Sequence, residues 1–169
     1  MCIRDRFEQA RVAARRDGDR GNEFLALEHL VRLEMRRGRF ERAAGLCEDL
    51  AVLAAGLRQD GSEAPCARLL GALCRTALSG GFVESQGVAE GLEALAAADA
   101  KHRLAFALLV AAELDLRARQ HHRAATRTQQ ALDLAMVLQL PREVAAAEAM
   151  LLRIRGLPQP HRGHPTDLS

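Results

Sequence analysis

Four cysteines, six histidines and two runs of acid–arginine pairs are the residues of this chain whose types and spacing could do chemistry. Cys66 and Cys74 lie eight apart, a helical repeat that could set both on one face, and Cys47 belongs to a segment that could pack beside them. A zinc site is usually built from close pairs such as C-x-x-C with a second pair, and none is present, so these cysteines fit better as small buried apolar residues. His121 and His122 fall in a turn and would point apart on a helix, and His161 and His164 fall in a tail where a flexible pair holds metal weakly. There is no Gly-rich phosphate loop, no H-E-x-x-H and no G-x-S-x-G, and the Ser and Thr residues sit in caps, loops or helix surfaces. The sequence therefore offers no catalytic set, no metal ligands and no cofactor motif, and an enzyme is not expected.

Composition narrows the rest. An apolar fraction of 49% over 169 residues is ample for one core, while aromatics are 3% with no Trp or Tyr. A core filled by Leu, Ala and Val suits close-packed helices better than sheets, so an all-α fold is expected. The formal charge of +2 comes from mixed signs, which disfavours a polyanionic partner such as nucleic acid or an anionic membrane. The longest apolar stretch, Leu104 to Ala112, spans nine residues between Arg103 and Glu113, about half of the roughly 20 needed to cross a bilayer. With no secretory h-region and no regular cysteine pairing, a reducing cytoplasm is the default location.

The elements that would position these residues follow from periodicity and breakers. Met1 to Arg6 fits the first helix poorly and reads as a non-native leader or a frayed end; on the former reading the protein extends upstream. Helices are expected over about Phe7–Arg16, Glu23–Arg37, Phe40–Leu57, Pro65–Leu78 with Ser62 as N-cap, Val83–Ala98, Lys101–Arg119, His122–Gln139 and Pro141–Arg155. Shifting the third helix by 42 residues pairs Leu46 with Val88, Cys47 with Ala89, Leu50 with Leu92, Leu53 with Leu95 and Ala54 with Ala96. Gly87 and Gly91 should weaken the fifth helix by about 1 kcal/mol each relative to Ala. Leu151, Leu152 and Ile154 would cap the end of the array or form a dimer surface, and residues 156–169 form a disordered Pro/His-rich tail.

Phe7-x-x-Ala10 recurs as Phe40-x-x-Ala43, with echoes at Phe82 and His122, in steps of 33, 42 and 40 residues. Periods of this size indicate stacked helix-turn-helix units. With Gly38 before Phe40 and Ala43, residues 7–155 resemble the tetratricopeptide repeat, although the individual motifs are degenerate. The long periods and Ala/Leu-rich helices look most like the divergent repeats C-terminal to the ATPase module of bacterial MalT-like or LuxR-type regulators. The resemblance implies a right-handed α-α superhelix of about seven helices, a protein-interaction or regulatory scaffold forming the C-terminal part of a larger bacterial signalling protein. It also implies a concave groove binding a peptide or protein. Carried over by position, that face comprises Glu28, Arg32 and Arg36, then Leu70, Cys74 and Leu78, then Glu113 and Arg117. Acidic groups of a peptide would meet the arginines and an apolar anchor would sit between them. Alternatively, Glu28/Arg32 and Glu113/Arg117 are solvated i,i+4 pairs. A free-standing adaptor dimerising through the C-terminal helix and an RNA-binding helical repeat are the rival functions.

Overall fold

The computed structural model describes residues 2–57, 61–80 and 86–157. Among them are eight α-helices and no strand: α1 (Ile3–Asp17), α2 (Arg20–Arg36), α3 (Phe40–Ala55), α4 (Glu63–Leu78), α5 (Gln86–Ala97), α6 (Lys101–Arg117), α7 (His121–Val137) and α8 (Pro141–Arg155). The expected all-α class is observed, and the eight helices correspond to the eight read from periodicity and breakers, against the about seven that the resemblance implied. The Phe82 echo, the start of the fifth helix at Val83 and the tail beyond Leu157 lie outside the described residues.

One turn geometry links most of the helices. Gly18, Gly38, Gly80, Asp99, Arg119 and Gln139 all have positive φ, between 51° and 85°. In five of these turns the left-handed residue donates its N–H three residues back, and the next residue donates five back: Asp19 to Ala14, Arg39 to Glu34, Ala100 to Leu95, Gln120 to Asp115 and Leu140 to Ala135. This is the Schellman closure, which satisfies two carbonyls that the helix end would otherwise leave bare. Glycine adopts the conformation freely at 18, 38 and 80, whereas Asp99, Arg119 and Gln139 hold it with a Cβ present.

Each helix packs on its chain neighbours, and the even-numbered helices also touch one another in order, α2 on α4, α4 on α6 and α6 on α8. The odd-numbered helices have no comparable mutual contact. Buried residues of the odd helices repeat as Cys47 and Ala54 in α3, Val88 and Leu95 in α5, and Thr128 and Ala135 in α7. Those positions superpose at shifts of 41 and then 40, so the expected shift of 42 misaligns the stripe by one residue; Ala54 is buried and Ala96 exposed. The main core joins Phe24, Leu27 and Val31 of α2 to Leu50 of α3, Leu69 and Leu73 of α4, Leu95 of α5 and Phe106 of α6. Alanines at 112, 124, 131 and 147 dominate the packing of α6, α7 and α8, where they let axes approach closely.

Three local expectations are corrected. α1 begins at Ile3, not Phe7, because the Asp5 carboxylate accepts from the Cys2 N–H at 3.1 Å and Arg4 pairs with Glu8 one turn on. Ser62 precedes α4 but makes no side-chain cap; its hydroxyl accepts from Arg103 instead. His121 and His122 are not in a turn but open α7.

Candidate functional site

Glu28, Leu70 and Leu109 occupy equivalent places on α2, α4 and α6; so do Arg32, Cys74 and Glu113, and Arg36, Leu78 and Arg117. Their environments diverge because side chains from α2 and α6 meet above α4. Arg103 of α6 reaches Glu28 of α2 with two donors at 2.9 and 3.1 Å, and a further donor reaches Glu63 at 3.1 Å. Arg32 adds a 3.4 Å bond to Glu28 and another to the His102 carbonyl, and its guanidinium lies 4.5 Å from the centre of the Phe106 ring. The space among Glu28, Arg32, Leu70, Arg103 and Phe106 has no room for a water.

Two expectations fall as a result. Leu70 and Cys74 are core residues and do not line a groove. Glu28 is 3% exposed, so Glu28/Arg32 is not a solvated pair. Burial works against the charge on Arg103, but Glu28, joined by Cys66 and Glu63, outweighs it and raises the guanidinium pKa. Cys47 and Cys74 contact each other through a thiol hydrogen bond, and burial pushes the Cys66 thiol up. Leu78 is exposed at the end of α4, away from the other groups.

Arg36, Glu113 and Arg117 do come together. They line a cleft of about 310 Å³ between α2, α6 and α8. Its floor is Met35, Phe40, Phe106, Leu109 and Met150, and its charged rim carries Arg36, Arg117, Arg142 and Arg153 against Glu113 and Glu143. Arg36 sits over the Phe106 ring at 5.2 Å and Arg117 over Phe40 at 5.7 Å, so both cations lie on aromatic faces. Glu113 accepts from Arg153 at 2.8 Å and lies 3.6 Å from Arg117, which makes its pair with Arg117 part of a wider surface cluster. Glu143, in the first turn of α8, accepts from Arg36. Burial lowers the Arg36 pKa, an effect that Glu143 opposes and the neighbouring cations Arg32 and Arg142 reinforce. Chemically the cleft can hold an apolar side chain on its floor and carboxylates on its rim.

Sequence reasoning missed α8 as a wall of this cleft and missed Arg142, Glu143 and Arg153. Their signal was weak: only the 36-to-143 pairing would have shown it, and nothing in local spacing links residues 107 apart. Leu151, Leu152 and Ile154 do not share a surface, for Ile154 is buried against α6 and α7 while Leu152 is 67% exposed. A wider recess of about 870 Å³ opens between α3 and α5 over α4, lined mainly by alanines and glycines, with no comparable aromatic floor. No described helix is long and apolar enough to cross a membrane.

A scan against protein-family models finds no match for this chain, and searches of curated proteins and of solved structures find none either.

Proposed function

We propose that this chain is a tetratricopeptide-like α-solenoid that works as a protein-interaction module, receiving an acidic peptide segment with an apolar anchor in the α2–α6–α8 cleft. The observation that carries the reading is the cleft itself, in which four arginines outnumber two glutamates around an aromatic and methionine floor. Arginine suits this role because its planar fork meets a carboxylate with two parallel bonds and stacks on rings at the same time. The spacing of the left-handed turns, 19 or 20 residues except for the step of 42 from Gly38 to Gly80, together with the ordered contacts among the even helices, supports a stacked helical-pair array. A regulatory role in a larger bacterial signalling protein of the MalT or LuxR type, in a cytoplasmic setting, is the setting we propose for the module.

The test is selection of random dodecapeptides on the immobilised chain, followed by calorimetry of the winners. Ala146 is exposed and lines the cleft, so Ala146→Trp fills the space without disturbing the core. The reading expects a consensus of Glu or Asp beside Phe, Leu or Met, at least tenfold weakened by Ala146→Trp. A set of binders without acidic residues, or one indifferent to Ala146→Trp, overturns it. RNA binding is the weaker alternative, since Glu113 and Glu143 stand among the rim arginines and no Tyr or Trp offers a stacking surface.

A further inference from the structure

Arg36 and Glu143 are joined across the mouth of the cleft, from one helix to another 107 residues away. α2 and α8 are not among the helix pairs that pack on each other, so this ion pair spans the cleft as a side-chain strap. Three observations bear on its purpose. Arg36 has no acid one turn back on its own helix; the residue there is Arg32, and both guanidinia lie against the Phe106 ring. Two like charges at i,i+4 repel, so this corner of the cleft calls for an anion. Arg117, the equivalent of Arg36 on α6, has its own acid one turn back in Glu113. Finally, the pair is asymmetric: the Arg36 side chain is 40% exposed and that of Glu143 only 11%, which leaves the cation open to an incoming group on one side.

We infer that Glu143 is a built-in stand-in for the partner's carboxylate: an acidic side chain of the bound segment takes Arg36 from Glu143 and releases the α2–α8 strap. The inference rests on the proposed reading of the cleft and adds its regulation. In the strapped form Glu143 satisfies Arg36 and holds the first turn of α8 towards α2. A partner carboxylate makes the same bond from the open side, while its apolar neighbour occupies the floor between Phe40 and Phe106. Affinity then depends on how firmly Glu143 competes, because a receptor held in its closed form binds with its intrinsic affinity reduced by the open fraction.

The experiment uses the full chain and a fluorescein-labelled Glu-Phe-Glu-Leu-Glu peptide, read by fluorescence anisotropy against wild type, Glu143→Gln, Arg36→Gln and Ala146→Trp, with circular dichroism confirming that each is folded. Glu143→Gln should bind about fivefold tighter than wild type, as expected for removing a competing surface pair worth up to about 1 kcal/mol. Arg36→Gln should bind more weakly than both. Equal affinity of wild type and Glu143→Gln, with binding still lost in Ala146→Trp, sinks the exchange and leaves the cleft reading standing. Weaker binding by Glu143→Gln also overturns it, since Glu143 would then be part of the receptor surface. No binding by wild type or any of the three variants overturns the cleft reading and the exchange together.

Discussion

Replacing Arg103 by methionine should be among the most damaging single changes in the molecule. Glu28 lies on α2 with its side chain 4% exposed, and Arg103, 13% exposed, supplies two of the three hydrogen bonds that it accepts from arginine side chains. Methionine keeps much of the arginine stem but loses the guanidinium that lies 5.4 Å from the centre of the Phe24 ring, and it strands the carboxylate with the weaker donors Arg32, at 3.4 Å, and the Cys66 thiol. Breaking a buried pair by removing one partner costs about 3–5 kcal/mol, because the remaining charge has lost its water and its counter-ion together. With a urea slope of about 2 kcal/mol/M for a chain of this size, the midpoint should fall by roughly 2 M. The companion variant Glu28→Leu/Arg103→Met should recover to within about 1 kcal/mol of wild type. Leucine already fills the equivalent positions on α4 and α6, Leu70 and Leu109; Glu63, freed of Arg103, is partly open to water, and Arg32, which loses Glu28, keeps the His102 carbonyl and the Phe106 ring. The assay is urea unfolding followed by helical circular dichroism. A double variant as unstable as Arg103→Met alone would refute the reasoning, because the cost would then lie in lost arginine packing and not in a stranded carboxylate.

Three further outcomes follow from local geometry. Gly87→Ala should stabilise by up to about 1 kcal/mol, since its Cβ would lie 3.5 Å from Ala72 Cβ, whereas Gly91→Ala should destabilise by about 1–3 kcal/mol because its Cβ would meet Leu69 Cβ at 2.8 Å; thermal unfolding of the two variants checks the opposite signs. Arg119→Gly and Gln139→Gly should each raise stability by about 1 kcal/mol by relieving a left-handed backbone at φ 58° and 54°, and a fall in melting temperature for both would count against the turn geometry. His29 stacks on Phe7 at 4.8 Å, and burial, followed by the Arg32 charge, holds its pKa below the ordinary histidine value. The folded state therefore binds its proton less readily than the unfolded chain, so its contribution is complete above about pH 6.5 and is lost as the pH falls through that value towards the lower folded pKa. Proton NMR should show His29 titrating below 6.5, and His29→Gln should flatten the loss of melting temperature between pH 7 and 5.5; titration at or above 6.5 contradicts this.

Gly38, Phe40 and Ala43 made the helical hairpin legible because a left-handed turn, a buried ring and a close helix approach are all local demands on residue type. The same demand is hidden at Asp99, Arg119 and Gln139, which occupy the glycine position without being glycine, so their turns had to be read from helical periodicity. The 42-residue shift, the step from Phe40 to Phe82, also relates the left-handed Gly38 and Gly80 but carries one residue too far into α5. Glu34, Thr76 and Asp115 show a second hidden regularity: each is buried four residues before a left-handed turn, with Arg123 and Arg127 at 2.7 and 2.6 Å from the Asp115 carboxylate and Arg39, Arg4 and Arg37 at 3.6, 3.8 and 3.9 Å from that of Glu34. The three residue types differ, which masks the repeat. At the cleft, Arg36, Glu113 and Arg117 were visible from helical register, but Leu70 and Cys74 were misplaced. Register gives the face of a helix; it does not say that Arg103 and Arg32 will close over it from both sides. Glu143 and Arg153 entered through the packing of α8 on α6, a long-range contact that no window of sequence contains.

The most direct test of the cleft as a receptor is calorimetric titration of a selected acidic peptide into wild type and Ala146→Trp, at low and at physiological salt. The account predicts one-to-one binding to wild type that weakens with salt and drops at least tenfold when tryptophan fills the cleft. Equal binding by the two proteins would place the interaction elsewhere and contradict it.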